Sequence, residues 1–220
     1  MTTLQLADNL YPPLHLQDTI EKALELMSEF KTAYLPVIAE ELFLGLISES
    51  DIIDEENKDI RLEAFQTNFI AAAINANNFF LKAATIYNLY RTNVIPVINE
   101  NNEFLGTISS NALINALSNF CGSSEYGALI VLEIERSRFA ISEVNSIVES
   151  DGASILHLNV SPHSAPGILE ITLQLNKKEI AAIVATFERY EYTVSFYSGE
   201  ELFENELSTN YNNLMNYLDI

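Results

Sequence analysis

In the first half of the chain, apolar and polar positions follow a pattern that occurs twice. The segment LPVIAEELFLGLIS, from Leu35 to Ser48, returns as IPVINENNEFLGTIS, from Ile95 to Ser109, with one additional residue in its turn. A stretch with apolar residues at helical spacing precedes each copy, at 19–27 and at 79–87. We therefore predict an internal structural repeat and name the two copies repeat 1 and repeat 2.

Each repeat is predicted to fold in the order helix, strand, strand, helix. In repeat 1 an amphipathic helix follows an N-cap at Asp18 or Thr19, because apolar residues recur at helical spacing over 20–30. Two short apolar strands come next, and a further helix starts after Ser48. The strands are predicted at 34–38 and 43–47, joined by a turn through Glu40 and Glu41.

The second half of the chain carries a different pattern, with the order β-α-β-β-α-β of the ferredoxin-like fold. Its strands are predicted at 128–134, 154–160, 168–175 and 193–197, and its helices at 139–149 and 178–190. The predicted fold class is therefore α/β (α+β). The expected domains are 1–60 for repeat 1, 61–121 for repeat 2, 125–198 for the ferredoxin-like domain and 199–220 for an acidic C-terminal tail.

The charge balance limits the partners of this chain. It has 31 acidic and 11 basic residues, a formal net charge of −20. Such a field repels nucleic acids and anionic membranes, so we expect neither as a partner, and an anionic ligand would need local basic groups, a helix N-terminus or a cation.

The single cysteine, Cys121, excludes an intramolecular disulfide, and the sequence shows no targeting or membrane-spanning segment. We expect a cytoplasmic protein.

The repeated motifs resemble those of the CBS domain family. The matching residues are Leu35-Pro36-Val37 and Ile95-Pro96-Val97, together with Gly45 to Asp51. In that family two repeats form one pseudo-symmetric module. The β-α-β-β-α-β segment looks like an ACT domain, and the whole order is similar to the CBS–ACT proteins associated with acetoin utilisation. These resemblances imply a regulatory homodimer.

The CBS resemblance further implies that adenine nucleotides or related adenosyl ligands bind in clefts between the repeats, with a Ser or Thr and an Asp as polar anchors. The matching residues here are Ser48 and Asp51. A carboxylate accepts two hydrogen bonds from a ribose diol, while a hydroxyl and free backbone N–H groups at a helix start suit phosphate. The same residues also fit a helix-capping arrangement, which needs no ligand. Both interpretations stay open.

Two further residues complete the candidate ligand-binding set. Tyr34 precedes the first Leu-Pro pair, where an aromatic ring either stacks on a base or packs against the core. His15 lies before the first helix, where the family places residues near the ligand, and its alternative is an ordinary surface or turn position.

The other candidate sites depart from their family patterns. Repeat 2 keeps Ser109 but has Ala112 where the carboxylate is expected, so at most one of the two nucleotide sites is complete. In the ACT-like segment the turn at 133–139 has no glycine. Arg136 and Arg138 suit an anionic ligand, and ion pairs with neighbouring acids are the alternative.

No enzyme motif is present in the sequence. Phosphate-binding glycine loops, dinucleotide-binding turns, nucleophile elbows and zinc-protease helices are all absent, and His157 and His163 have no third metal ligand beside them. We expect no catalysis, no metal and no cofactor. The leading hypothesis is a homodimeric sensor that binds AMP, ADP, ATP or S-adenosylmethionine and acts on an unidentified protein partner. The alternative is a ligand-free dimeric interaction module with degenerate CBS and ACT sites.

Overall fold

The chain divides into an N-terminal unit, Met1–Ser118, and a C-terminal unit, Asn119–Ile220. The computed structural model describes residues 1–122 and 127–199. The predicted acidic tail lies outside the described residues, apart from its first position.

The N-terminal unit contains two three-stranded sheets, one for each repeat. In both sheets the middle strand pairs in parallel with a two-residue strand and antiparallel with the strand that follows it. The elements of repeat 1 are β1 (Leu14–His15), α1 (Ile20–Phe30), β2 (Tyr34–Ala39), β3 (Leu42–Ser48) and α2 (Glu49–Ile52). A 3-10 helix (Leu62–Asn68) follows beyond the expected boundary at residue 60, and its Leu62 is buried in the core of repeat 1. Those of repeat 2 are β4 (Ile74–Asn75), α3 (Leu81–Tyr90), β5 (Val94–Ile98), β6 (Phe104–Ser109) and α4 (Ser110–Phe120).

Helix α1 forms where the sequence predicts it, since its apolar residues share one face. Ile20, Ala23 and Met27 are buried against the sheet of repeat 1. The Thr19 side chain accepts a hydrogen bond from the Lys22 N–H at 3.3 Å, which confirms the predicted N-cap. Burial of this face, at about 25 cal/mol per Å² of apolar surface, stabilises the helix far more than its own propensity does.

The second helix of repeat 1 is shorter than its counterpart in repeat 2. As predicted, it starts directly after Ser48: α2 begins at Glu49, but it ends at Ile52, after a single turn. A run of acidic residues follows, and negative charge opposes the C-terminal end of a helix dipole. The Lys58 ammonium ends the helix by donating to the Ile52 carbonyl at 3.3 Å and to the Ile53 carbonyl at 2.6 Å.

Each sheet in the N-terminal unit has its edge extended by a segment from elsewhere in the unit. The backbone of Leu46 exchanges two hydrogen bonds with Ile70, both 2.9 Å long. The backbone of Thr107 exchanges bonds of 2.8 and 2.9 Å with Asp8, which precedes β1. The start of the chain therefore completes the sheet of repeat 2, and the linker between the repeats completes the sheet of repeat 1.

A glycine permits each of these backbone contacts. A Cβ atom at Gly45, where φ is 154°, would lie 2.7 Å from the Phe69 Cβ. A Cβ atom at Gly106, where φ is 140°, would lie 2.7 Å from the Asp8 carbonyl oxygen. No side chain fits at such distances without displacing the neighbouring backbone, so both repeats require glycine in the Gly-x-Ile-Ser motif.

The C-terminal unit has the predicted β-α-β-β-α-β order. Its four strands are arranged β10-β7-β9-β8, all antiparallel, which is the ferredoxin-like topology. The elements are β7 (Ala128–Glu135), α5 (Ile141–Ser150), β8 (Ile155–Pro162), β9 (Ile168–Leu175), α6 (Ala181–Arg189) and β10 (Thr193–Ser198). Alternate residues of β7 and β9 are buried in the main core of this unit, as period-two strands under helices require.

A buried tyrosine links two elements of this core. Tyr192 packs edge-on against Phe187, with ring centroids 5.3 Å apart, and its hydroxyl donates to Glu143 at 2.9 Å. Burial, together with this carboxylate, raises the pKa of Tyr192 above its ordinary value. The phenol therefore stays a neutral donor at physiological pH.

Replacing Gly106 by alanine is expected to lower the free energy of unfolding of the N-terminal unit by about 2 kcal/mol or more, because the new Cβ overlaps the Asp8 carbonyl. Urea titration followed by circular dichroism measures the loss. Gly152→Ala is the control: φ there is +70° and no atom lies within 4 Å of a new Cβ, so only about 1 kcal/mol of backbone strain is expected. Equal losses in the two variants would contradict the close-contact explanation.

Candidate functional site

The candidate residues Tyr34 and Ser48 lie opposite each other at one end of the β2–β3 pair. Helix α2 begins directly after Ser48, so Asp51 lies on its only turn. The structure thus places three of the four candidate residues near the start of α2. His15 pairs with Ile38, four residues further along β2, about 13 Å away at the rise of a strand.

The Ser48 side chain is used within the protein. It is 6% exposed, and its Oγ accepts a hydrogen bond from the Ser50 N–H at 3.2 Å. The Ser48 and Ser50 hydroxyls also lie 2.7 Å apart, within hydrogen-bond distance. Ser48 is therefore the N-cap of α2, as the helix-capping interpretation of the sequence predicts.

The expectation of free backbone N–H groups at this helix start is wrong for its first two positions. The Glu49 N–H donates to the Ala33 carbonyl at 2.8 Å, and the Ser50 N–H donates to Ser48. Since α2 has a single turn, few further donors exist there. A phosphate group would have to find its hydrogen bonds elsewhere.

Asp51 differs from Ser48 because its carboxylate has no partner among the described residues. The residue is half-buried, yet within the described residues it has no hydrogen bond and no ion pair. The reciprocal bond of a capping box, from the Ser48 N–H to Asp51, is not formed. The acid at this position therefore keeps its full capacity to accept hydrogen bonds.

Tyr34 packs between the two repeats. It is half-buried against an apolar cluster that contains Phe43 and Leu46 from repeat 1. Ile86 and Tyr90 of helix α3 in repeat 2 pack against the same cluster. This position confirms packing for at least part of the ring surface, and the remaining exposed part borders the end of the β2–β3 pair.

A hydrogen bond next to Tyr34 joins the repeats at this end of the sheets. The buried Thr32 hydroxyl lies 3.0 Å from the Asn93 side-chain oxygen, and it also accepts from the Tyr34 N–H at 3.2 Å. Asn93 precedes β5 of repeat 2, and its carbonyl accepts from the Ser110 N–H at 3.3 Å. Sequence analysis missed Thr32 and Asn93, because polar residues beside a strand are common and carry no motif.

His15 is exposed and its surroundings are those of a turn. Its backbone N–H donates to the Asp18 carboxylate at 2.8 Å, and Asp18 also forms an ion pair of 2.7 Å with Lys22. Partial burial works to raise the pKa of Asp18, but the His15 N–H and the Lys22 ammonium outweigh it and hold that pKa below its ordinary value. The bonds of Asp18 to the His15 N–H and to Lys22 thereby fix the turn before α1.

The corresponding position in repeat 2 has lost its polar group. The buried Ser109 Oγ accepts from the Ala112 N–H at 3.1 Å and so caps α4 as Ser48 caps α2. The Ala112 side chain packs against the apolar core of repeat 2. A carboxylate is therefore available in repeat 1 and replaced by a packed methyl group in repeat 2.

One of the two candidate arginines of the C-terminal unit forms a surface ion pair. Arg138 forms an ion pair of 2.6 Å with Glu191, which is the surface use foreseen as the alternative. Nearby, His163 lies 3.9 Å from Glu133. A shallow groove of about 260 Å³ includes these side chains; it is lined by Glu133, Glu135, Arg138, His163, Ile168 and Glu191. Its three carboxylates make it a poor site for a free carboxylate ligand.

Removing the Ser48 hydroxyl by Ser48→Ala is expected to lower the free energy of unfolding by about 1 kcal/mol, because an N-cap bond is lost. Asp51→Asn is expected to change it by less than about 0.5 kcal/mol, because the carboxylate has no partner among the described residues. Denaturant titration compares both, with Ser109→Ala as the matched cap loss in repeat 2. A loss in Asp51→Asn as large as in Ser48→Ala would show that Asp51 has a structural role.

Comparison with known proteins agrees with this description. Residues 11–58 match the model of the CBS domain. A CBS domain pair/ACT domain protein from Thermotoga maritima matches 55% of this chain and 98% of its own length, with 17% identity and a TM-score of 0.50. A putative acetoin utilization protein from Vibrio cholerae covers 56% of this chain and 95% of its own, with 14% identity and a TM-score of 0.47. The structure of CBSX2 in complex with AMP covers 54% and 97%, with 16% identity and a TM-score of 0.43.

These likenesses concern the fold. The CBS domain match and the likeness to the Thermotoga maritima protein confirm the predicted class, a mixed α and β protein with a CBS-type pair of repeats and a further β-α domain. No helix in the described ranges is both long enough and apolar enough to cross a membrane.

Proposed function

We propose that this protein is a regulatory ligand-sensing protein that binds an adenosine-type nucleotide between its two repeats. The ligand class comprises AMP, ADP, ATP and S-adenosylmethionine. Asp51 accepts hydrogen bonds from the ribose diol, and Ser48 holds the helix turn that presents it. The exposed part of the Tyr34 ring borders the base, and His15 lies further along β2 at the edge of the site.

The proposal rests on the Asp51 carboxylate, which has no hydrogen bond or ion pair among the described residues. A half-buried acid without a hydrogen bond or ion pair contributes nothing to the fold that a neutral residue would not. A ribose diol supplies two donors that a carboxylate accepts. Asp51 also has the position of the acidic anchor in the resemblance described above, and all four candidate residues fall inside the segment 11–58 that matches the CBS domain model.

The site in repeat 1 is proposed as the only nucleotide site of the pair. Repeat 2 offers Ala112, whose methyl group packs in the core, in place of the carboxylate. The two repeats meet next to Tyr34, where the Thr32 hydroxyl lies 3.0 Å from the Asn93 side-chain oxygen, so a ligand at the start of α2 has repeat 2 as a neighbouring wall. We therefore expect one nucleotide per chain.

The C-terminal unit is proposed as an ACT-like domain that passes the signal on to a protein partner rather than sensing an amino acid. Its sheet order is that of the ferredoxin-like fold. Arg138 is paired with Glu191, and the groove beside it is acidic. A ligand shifts the equilibrium between two states of a protein only if it binds one state more tightly than the other. Regulation therefore requires a partner that binds the nucleotide-bound form differently from the nucleotide-free form.

A second candidate function is the ligand-free interaction module. Ser48 and Ser109 both act as helix caps, which shows that the repeated serine has a structural use in each repeat. In this alternative Asp51 is an ordinary polar position and the protein acts through its surfaces alone. The experiment below separates the two functions.

Thermal unfolding with AMP, ADP, ATP and S-adenosylmethionine, each with and without Mg²⁺, tests the proposal. A bound nucleotide at 100 times its Kd should add about 2.7 kcal/mol to the free energy of unfolding. Asp51→Asn should weaken binding about tenfold or more, since charge-assisted hydrogen bonds to the ribose are lost.

Asp54→Asn is the matched control, because Asp54 is an exposed acid three residues further along and should leave binding unchanged. Asp51→Asn is expected to remain folded, so a lost shift reports on binding. Absence of a shift with every ligand would favour the ligand-free module, and an equal shift in wild type and Asp51→Asn would place the ligand elsewhere.

A further inference from the structure

A polar side chain of repeat 2 lies beside the candidate site of repeat 1. Asn93 directly precedes β5 and is half-buried. The Thr32 hydroxyl donates to the Asn93 side-chain oxygen at 3.0 Å and accepts from the Tyr34 N–H at 3.2 Å. Since Thr32 and Tyr34 belong to repeat 1, this bond holds the Asn93 side chain next to the residue whose ring we place at the base.

The side-chain amide of Asn93 keeps both of its N–H donors. Its oxygen accepts from Thr32, whereas its Nδ2 atom has no hydrogen-bond partner in the part of the chain that the structure describes. An amide whose oxygen is held in this way offers its donors on the side away from the Thr32 hydroxyl. Asn93 therefore presents a pair of oriented donors at the end of the β2–β3 pair.

The fold does not need an amide at this position. At an offset of sixty residues, Asn93 corresponds to Ala33 in repeat 1. The backbone carbonyls of both residues accept from the start of the following helix, Ala33 from the Glu49 N–H and Asn93 from the Ser110 N–H. This backbone contact is common to the two repeats, whereas the side-chain amide belongs to repeat 2.

The threonine before this position has the same structural use in both repeats. Thr92 accepts from the Val94 N–H at 3.1 Å and donates to the Val94 carbonyl at 2.8 Å. Thr32 lies 3.2 Å from the Tyr34 N–H and 3.0 Å from the Tyr34 carbonyl. Among the described residues, Thr92 has no bond to repeat 1 that matches the bond from Thr32 to Asn93. The contact with Asn93 is thus additional to the turn that both threonines form.

We propose that Asn93 binds the base of the nucleotide in repeat 1 and selects adenine over guanine. This inference rests on the proposed function, since it needs a base beside Tyr34. A base beside an aromatic ring presents its edge to the polar groups around it. The Asn93 Nδ2 atom donates to N1 of adenine, which carries no hydrogen and therefore accepts. Repeat 1 supplies the carboxylate for the ribose, and repeat 2 supplies the donor for the base.

The same contact disfavours guanine. Guanine carries a hydrogen on N1, so its N1–H would face the N–H donors of Asn93 and neither group would find an acceptor. A polar group left without a partner in a binding site weakens binding by more than the missing bond. Turning the amide to offer its oxygen would break the bond from the Thr32 hydroxyl. We expect adenine nucleotides to bind about tenfold more tightly than guanine nucleotides, or better.

Isothermal titration calorimetry of the full chain with AMP, ATP, GMP and GTP, each with Mg²⁺, tests the inference. The informative variant is Asn93→Asp, because Asp has nearly the same shape and still accepts from Thr32 but offers acceptors in place of donors. It should weaken AMP and ATP about tenfold and strengthen GMP and GTP about as much, since a carboxylate accepts from guanine N1–H.

The readout is the ratio of adenine to guanine affinity, which should fall about a hundredfold in Asn93→Asp. The added charge repels each adenine nucleotide as strongly as its guanine counterpart, so charge alone leaves the ratio unchanged. Asn111→Asp is the matched control. Asn111 is exposed on α4 next to Ser110, whose N–H donates to the Asn93 carbonyl, so the same charge is added close by and the ratio should stay as in wild type.

S-adenosylmethionine carries the same base, so its affinity should also fall about tenfold in Asn93→Asp if it is the ligand that binds. Circular dichroism checks that both variants fold. Binding of an adenine nucleotide or of S-adenosylmethionine that Asn93→Asp leaves unchanged would overturn the inference and leave the proposed function standing. Absence of binding by every one of these ligands would overturn both.

Discussion

Two backbone contacts hold the N-terminal unit together, and both depend on the absence of a side chain. At Gly45 the chain lies against residues 69–70, and at Gly106 it lies against Asp8. Each contact ties a sheet to a segment that belongs to another part of the sequence, so neither repeat has a complete sheet edge by itself. The contact at Gly45 fixes the position of β3 in the unit. It thereby also fixes the start of α2 and the candidate site, which follow β3 directly.

The pseudo-symmetry that these contacts create also allows the repeats to diverge. Both repeats keep the glycine and the capping serine, because these residues serve the fold. The carboxylate of Asp51 has no such role, and repeat 2 has Ala112 instead. The position that differs between the repeats is therefore the one where we place ligand binding.

Much of the fold could be predicted because its signals are local. The strand at 168–175 has the predicted bounds. Alternating apolar residues identify the longer strands of both units, and apolar residues at helical spacing identify the main helices. The two-residue strands β1 and β4 were missed, since two residues show no period. At the site, the serine and the acid could be found by motif. The hydrogen bond from the Glu49 N–H to the Ala33 carbonyl could not be predicted, because it depends on the register of β2 against β3.

We propose that repeat 1 holds one nucleotide and repeat 2 holds none, because Asp51 offers a carboxylate without a partner among the described residues, whereas the equivalent position in repeat 2 is Ala112. Isothermal titration calorimetry of the full chain with the nucleotide that binds measures the number of ligands per chain directly. We predict one ligand per chain. Two equivalent sites would contradict it, since Ala112 would then be no obstacle, and no heat with any adenosine-type nucleotide would contradict the assignment of ligand binding itself.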